Sequence, residues 1–200
     1  MGCSCFQDET GKKPRLRSET FYNGYYYRKD SESYSFPSYS FPSFSGCYSG
    51  NGKVLLKNKT VKQVKDLTKG DILEDGSIIQ CLIVIKVNRI VPAIELNGVY
   101  FTFKHPVFYE GKWTNPINIK APINAFIDNW YNLVLKNGNS VKINGIEAIT
   151  LGHGSHPYFG TKKVLMALKK YDGFESGRIV VEKQQLNVER DENGRISNYF

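Results

Sequence analysis

The pattern of hydrophobic and polar residues changes abruptly near Val54 of this 200-residue chain. From there onward, apolar and polar residues alternate in short runs such as SIIQCLIVIKVNR, AIEL, VYFTF, WYNLVL and SVKING. Such alternation predicts half-buried strands. Hairpin turns are predicted where two consecutive residues tolerate a positive φ, namely at Asp75-Gly76, Asn97-Gly98, Asn137-Gly138 and Asn144-Gly145. The body of the protein is therefore predicted to be all-β.

Two segments show helical spacing instead, TVKQVKDL at 60–67 and TKKVLMALKKY at 161–171. In the second, Val164, Leu165, Leu168 and Tyr171 form a one-sided apolar stripe. We therefore expect a C-terminal amphipathic helix that packs on the β body. Beyond it, the mostly polar residues 182–200 are predicted to be a frayed tail.

The N-terminal part of the chain has a different composition. Residues 18–53 contain no Leu, Ile, Val, Met or Ala but eleven Phe and Tyr, with the near-repeat YSFPSYSFPSF. Aromatic low complexity without aliphatic core formers predicts a disordered linker. We assign residues 1–20 to a polar N-terminal segment, 21–46 to this linker and 47–181 to the folded domain.

Composition narrows the classes of function. The net charge is +8, but the lysines are scattered, so we expect a solvated surface and no nucleic-acid partner. No apolar run reaches the ~18–20 residues of a membrane helix, and no secretory signal is present, so an intracellular, cytoplasmic chain with reduced cysteines is expected. The cysteines lack zinc spacing and only three histidines exist, so neither a metal nor a cofactor is predicted.

The N-terminus MGCSCF raises the possibility of a lipid anchor. Gly2 is the residue that N-myristoylation requires, and Cys3 and Cys5 are potential palmitate acceptors. Phe6, however, stands where the myristoylation consensus has Ser or Thr. Two interpretations stay open: membrane association through an acylated N-terminus, or an ordinary polar tail with reduced thiols.

A single cysteine, Cys47, stands where the linker meets the first strand, directly after Gly46. Cys81, inside an apolar strand, is predicted to be a buried structural thiol. The Cys47 thiol can attack the Gly46 carbonyl through a five-membered ring, which is an N-to-S acyl shift. Intramolecular attack of this kind is worth roughly 7–11 kcal/mol of barrier when the groups are aligned.

The sequence around Cys47 resembles the Hedgehog/intein, or Hint, superfamily. GCYSGNGKVLLKNKTVKQVKDLTKGDIL resembles its N-terminal block, FTFKHPVF its T-x-x-H block, and WYNLVLKNGNSVKINGI its C-terminal strand pair. AITLGHG, HPYFGT and GRIVVEK resemble the Vint subgroup, and the resemblance spans residues 46–195. It implies an all-β Hint fold, a flattened pseudo-twofold body.

The resemblance implies autocatalytic self-processing at Gly46-Cys47, with the protein's own N-terminal segment as substrate. Cys47 is the expected nucleophile of a thioester intermediate, and His105, with a pKa near neutrality, is the expected acid for the leaving amine. Thr102 is expected to bind the amide or the oxyanion. In the alternative, Thr102 and His105 only cap a surface turn.

His153, which lies close to His156, is a second acid–base candidate. Its alternative is an exposed turn before Pro157.

Two departures from the family pattern limit the expected reaction. No His-Asn pair follows NGI at 144–146, and Asn132 stands where aspartate is frequent in the family. Splicing and C-terminal cleavage are therefore not expected. An inactive Hint-fold scaffold or protein-interaction module, tethered to a membrane by an acylated N-terminus, stays open as an alternative. So does a Cys–His protease acting in trans, although no third orienting residue is recognisable.

The Vint subgroup also occurs beside von Willebrand type A and ubiquitin-ligase modules. By this resemblance, proteins of those two kinds are the expected partners.

Overall fold

The computed structural model describes residues 19–22, 25–28, 46–151, 165–166, 168–182, 188–190 and 196–199. Strands dominate these ranges, which confirms the predicted all-β class. The strands are β1 (Glu19–Tyr22), β2 (Tyr25–Arg28), β3 (Tyr48–Ser49), β4 (Lys53–Leu55), β5 (Val61–Gln63), β6 (Ile79–Leu96), β7 (Val99–Phe101), β8 (Val107–Tyr109), β9 (Lys112–Thr114), β10 (Ile123–Leu135), β11 (Ser140–Ile143), β12 (Ile146–Ile149), β13 (Arg178–Glu182), β14 (Val188–Arg190) and β15 (Ile196–Tyr199).

The chain divides into two compact units, residues 1–41 and 42–200. In the first unit, β1 and β2 form an antiparallel hairpin in which Tyr22 pairs with Tyr25. Residues 21–22 and 25–28 of the predicted linker thus have strand backbone, and its residues 23–24 and 29–45 lie outside the described residues, so the linker stays a prediction. Threonine, phenylalanine and tyrosine favour strands, so the residues of this low-complexity segment can also form a hairpin.

The main sheet of the second unit is built around two long strands, β6 and β10. They pair antiparallel along most of their length, β3 lies between β10 and β7, and β7 pairs with the C-terminal end of β6. These four pairings close a ring, and β13 adds to β6 in parallel. The predicted turn between β6 and β7 is present, with Asn97 and Gly98 both at positive φ, 49° and 78°.

A second sheet has the strand order β11-β12-β8-β9. Asn144 and Gly145 make the two-residue turn between β11 and β12, with φ of 47° and 84°, as predicted. A third turn of this kind, Glu110-Gly111 between β8 and β9, was not predicted, because glutamate is not typical of the left-handed region. β4 and β5 form a separate hairpin.

The predicted helix at 60–67 is wrong. Residues 61–63 form β5, where Val61 pairs with Leu55, and a single 3-10 turn follows at Val64–Asp66. Val64 and Leu67 are buried in the core from this turn, so the apolar spacing that resembled a helix is met by a strand and a turn.

The predicted C-terminal helix is not shown as a whole. Leu165, Met166 and Leu168 have helical backbone, and the Lys169 N–H donates to the Leu165 carbonyl at 3.0 Å. Leu168 is buried and Met166 is exposed, as the stripe predicted. Residues 161–164 and 167 lie outside the described residues. The segment predicted to be a frayed tail contains β14 and β15, which pair antiparallel, although its composition is polar.

Two hydrophobic clusters form the core of the second unit. One contains Cys47 and Cys81, and the other contains Tyr48 and Phe101. Successive side chains of a strand point to opposite faces, so the start of β3 places its residues in both clusters. The Gly46-Cys47 peptide therefore lies between the two clusters. Among the described residues, no helix is both long and apolar enough to cross a membrane.

Candidate active site

The Gly46-Cys47 peptide bond lies at the start of β3, between β7 and β10. Tyr48 pairs with Phe101 on one side and with Tyr131 on the other. The ladder continues one residue further, because the Thr102 N–H donates to the Cys47 carbonyl at 3.0 Å. The neighbouring strands thus bring Thr102 and Asn132, the residues next to Phe101 and Tyr131, to this peptide bond.

Both polar groups of this peptide bond are hydrogen-bonded to side chains. The Cys47 N–H donates to Thr102 Oγ1 at 3.0 Å. The Asn132 side-chain amide donates from Nδ2 to the Gly46 carbonyl oxygen. Thr102 Oγ1 also lies 3.4 Å from the Cys47 carbonyl, to which its hydroxyl donates. The nitrogen and the oxygen that would react are therefore each fixed by one side chain.

Gly46 has a backbone that suits glycine. Its φ is 79°, in the left-handed region, and the residue is buried. A residue with a Cβ pays roughly 1–2 kcal/mol in this region. The local conformation thus favours glycine before the cysteine, and glycine adds no side chain of its own next to this carbonyl.

His105 lies beside the same peptide bond and is fully buried, with 0% of its surface exposed. The backbone N–H of His105 donates to the Thr102 carbonyl at 3.2 Å, so residues 102–105 do form a turn. The ring, however, packs edge-on against Tyr48 with centroids 5.2 Å apart, and the backbone of Gly46 and of Ile149 lies close enough to influence its pKa. The alternative of a residue that only caps a surface turn is therefore wrong for His105.

Burial lowers the pKa of His105 from 6.5 to about 4, against the nearby backbone of Gly46 and Ile149, which raises it. The expectation of a pKa near neutrality is therefore wrong. The physical reason is that the apolar surroundings disfavour the charged imidazolium more than the two backbone groups favour it. At neutral pH the ring is uncharged, with one nitrogen that donates and one that accepts.

Burial likewise raises the pKa of the Cys47 thiol from 9.0 to about 12. The thiol is 3% exposed and belongs to a hydrophobic cluster. At neutral pH it is protonated, and no thiolate–imidazolium pair with His105 exists at rest. The thiol proton of Cys47 can therefore pass to His105 only while the sulfur attacks, not before.

Four of the predicted site residues come together in the structure: Gly46, Cys47, Thr102 and His105. His153 and His156 lie outside the described residues, as do the acylation candidates Gly2, Cys3 and Cys5, so their roles stay predictions. The described part of the chain brings no three His, Cys, Asp or Glu side chains together as a metal-binding group.

Asn132 is the residue of this site that sequence reasoning missed. It was noted only as a departure from a frequent aspartate. The signal was its place in WYNLVL, a predicted strand of the resembling C-terminal block, but the pairing of that strand with β3 was needed to bring it to Gly46.

An all-β body that gathers a cysteine, the glycine before it and a T-x-x-H pair around one peptide bond defines a Hint-type domain. A family model described as Vint, Hint-domain, matches residues 46–198, and the chain belongs to this family. The match begins at Gly46 and ends within β15. Hint domains are linked to autoprocessing and self-splicing. No curated protein matches the chain in sequence.

Proposed function

We propose that this domain cleaves its own chain between Gly46 and Cys47 by an N-to-S acyl shift. The observation that carries the proposal is the set of contacts at one peptide bond. Its N–H is bound by Thr102, its carbonyl oxygen by Asn132, and the imidazole of His105 lies at the same place. The nucleophilic thiol is on the residue that follows the carbonyl.

In the first step, Cys47 Sγ attacks the Gly46 carbonyl carbon. The C–S bond forms, the C–N bond breaks, and the thiol proton ends on the nitrogen of Cys47. Neutral His105 accepts this proton with its lone-pair nitrogen and passes it to the departing nitrogen, so it acts first as a base and then as an acid. The product is a thioester of Gly46 with a free amino group on Cys47.

Thr102 holds the departing nitrogen in place during this step. Because its Oγ1 accepts the existing N–H of Cys47, that proton is directed away from the lone pair that forms when the nitrogen becomes pyramidal. The lone pair is then available to the proton from His105. Correct placement of a reacting group in this way is a recognised source of rate enhancement.

The second step resolves the thioester. Attack by water forms a C–O bond, breaks the C–S bond and returns a proton to the Cys47 sulfur, which leaves residues 1–46 with a C-terminal carboxylate. A thiol or an amine added from outside takes the place of water in the same reaction. The chain has no His-Asn pair after NGI at 144–146, so cleavage without splicing is the expected outcome.

Mass spectrometry of the purified full chain tests this function. We expect the 22.8 kDa chain to convert to fragments 1–46 and 47–200, faster when a small thiol such as dithiothreitol is added. A Cys47→Ala chain is the control and is expected to stay intact.

A folded wild-type chain that stays intact with dithiothreitol contradicts the proposal. It would favour a Hint fold retained as a scaffold.

A further inference from the structure

Asn132 has a geometry that matters beyond holding the resting carbonyl. Its Oδ1 accepts the Leu133 N–H at 2.7 Å. An N–H can only donate, so this contact assigns Oδ1 and turns Nδ2 toward the Gly46 oxygen. The orientation of the amide is thus fixed by the strand that carries it.

The surroundings of this contact favour a strong effect. Asn132 is 2% exposed, and the residue that pairs with it on the neighbouring strand β6 is the apolar Ile83. A hydrogen-bond donor aimed at a carbonyl oxygen in a water-poor site gains strength when that oxygen becomes negative. The attack of Cys47 on Gly46 creates such an oxyanion.

Resting on the proposed function, we propose that Asn132 is a catalytic residue of the acyl shift, whose side-chain amide stabilises the oxyanion that forms on Gly46. In this assignment Asn132 binds the oxyanion, and Thr102 binds only the N–H of the departing nitrogen.

The frequent aspartate of the family is the informative substitution. In Asn132→Asp, one carboxylate oxygen can still accept the Leu133 N–H, so the backbone contact is kept. The other oxygen then faces the Gly46 oxygen, and it donates only when the carboxyl is protonated. Burial raises the pKa of an aspartate by up to about 3–5 from its usual 3.9, to roughly 7–9. The donor is therefore restored as the pH falls.

The titratable groups that the strands and the turn bring to the same place are Cys47, Tyr48 and His105. All three are uncharged between pH 6 and 9, because burial raises the pKa of the thiol and of the phenol and lowers that of the imidazole. A pH dependence seen only in Asn132→Asp is therefore assigned to the new carboxyl.

The test compares first-order cleavage rates of the full-length chains with saturating hydroxylamine, which captures the thioester. Rates are taken as ratios to wild type at each pH from 6 to 9, so the titration of hydroxylamine cancels. Loss of one oxyanion donor typically costs 10²–10³-fold. Only the protonated carboxyl donates, so its protonated fraction limits the deficit. With a carboxyl pKa near 7, we expect Asn132→Asp to be slower than wild type by up to about 10²-fold at pH 9 and by about twofold or less at pH 6. Asn124→Asp, exposed on the same strand, is the matched control and is expected to follow wild type.

A deficit that does not change with pH, or no deficit, overturns the role of Asn132. Thermal unfolding of each variant shows whether the fold is intact. With a purely structural role, the unfolding temperature of Asn132→Asp would fall together with its cleavage rate as the pH rises, so unfolding is measured at each pH.

A second measurement separates this inference from the proposed function. In a Cys47→Ala chain, which cannot undergo the shift, a ¹³C label on the Gly46 carbonyl reports the hydrogen bond by NMR. We expect its resonance to move when Asn132→Asp is added at pH 9 and to return at pH 6. If NMR shows the hydrogen bond between Asn132 and Gly46 but the wild-type chain never cleaves, the proposed function is contradicted, and the catalytic role of Asn132 is contradicted with it. A cleaving wild type with unaffected Asn132 variants sinks this inference alone.

Discussion

The two buried cysteines of the second unit, Cys47 and Cys81, lie in similar apolar surroundings, but they occupy different places on the backbone. Both are free, both lie in the same hydrophobic cluster, and burial raises the pKa of both thiols, to about 12 for Cys47 and about 11 for Cys81. Cys81 lies inside the long strand β6, and its sulfur contacts the carbonyl of the next residue, Leu82, at 3.7 Å. Cys47 follows a glycine in a left-handed conformation at the start of a short strand.

The difference shows that burial alone does not make a reactive cysteine. An apolar environment makes the thiol a poorer nucleophile, because the thiolate is disfavoured. We propose that at Cys47 this disadvantage is offset by the groups around the preceding peptide bond: Thr102 after β7, Asn132 on β10, and the nearby ring of His105. In the proposed reaction, the peptide bond rather than the thiol is the group that its neighbours prepare for attack.

The largest effect is expected from replacing each of the two cysteines by alanine in a separate variant. Cys47→Ala removes an intramolecular nucleophile with an effective molarity of roughly 10⁵–10⁸ M, so cleavage should stop. Cys81→Ala should cleave at the wild-type rate. Gel electrophoresis of the two full-length chains over time measures both. The comparison of the cysteines fails if Cys81→Ala stops cleavage while its thermal unfolding is unchanged.

The next largest effect is expected at the histidine. His105→Gln keeps a polar side chain of similar length but cannot relay a proton, so the rate of the acyl shift should fall by ~10²–10⁴-fold. Aliquots that are quenched at intervals and analysed by mass spectrometry give the cleavage rate.

The same change at His153 tests the second histidine candidate. A slower His153→Gln chain would give it a part in resolving the thioester. A rate near wild type for His105→Gln would remove His105 from the reaction.

Acid should destabilise the folded unit through His105. Its pKa is about 4 when folded and 6.5 when unfolded, so the unfolded chain binds the proton more readily below pH 6.5. The contribution to stability is complete above pH 6.5 and is lost as the pH falls toward 4. This loss amounts to about 3 kcal/mol of unfolding free energy.

Denaturant unfolding in a Cys47→Ala background measures this loss without interference from cleavage. His105→Gln should lack it, and other acid-titrating groups such as Asp71 cancel between the two chains. Equal acid sensitivity of both chains would contradict the neutral, buried histidine.

The smallest effect is expected at Thr102. Thr102→Val has almost the same shape but removes the hydroxyl that accepts the Cys47 N–H. A single hydrogen bond is worth about 1 kcal/mol, so the cleavage rate should fall by roughly tenfold or less. Thr114→Val, half-buried on β9, is the matched control. Equal rates for Thr102→Val and wild type would show that the nitrogen needs no such support.

The strands and two of the Asn-Gly turns, at 97–98 and 144–145, could be predicted because they depend on local sequence. The hairpin turn predicted at Asn137-Gly138 is wrong, because β10 and β11 on either side of it belong to different sheets. Alternation and a positive φ at Asn97-Gly98 or Asn144-Gly145 are properties of a few adjacent residues. The segment at 60–67 could not be predicted in this way. Its apolar spacing fits both a helix and a strand followed by a turn, and the pairing of Val61 with Leu55 decides between them.

The site was predicted to the extent that it lies in contiguous blocks. Cys47, Thr102 and His105 were assigned from resembling motifs, whereas the role of Asn132 depends on the pairing of β10 with β3. The low pKa of His105 also depends on tertiary structure, because burial against Tyr48 and Phe101 sets it. No local signal in FTFKHPVF reports that burial.

Identification of the new chain ends tests the central claim most directly. With hydroxylamine present, the account predicts an N-terminal fragment that ends in a hydroxamate on Gly46 and a C-terminal fragment that begins with a free Cys47. Peptide mass mapping of both ends gives the answer in one experiment. A cut at any other bond, or a carboxylate at Gly46 that hydroxylamine never replaces, would contradict a thioester at this position.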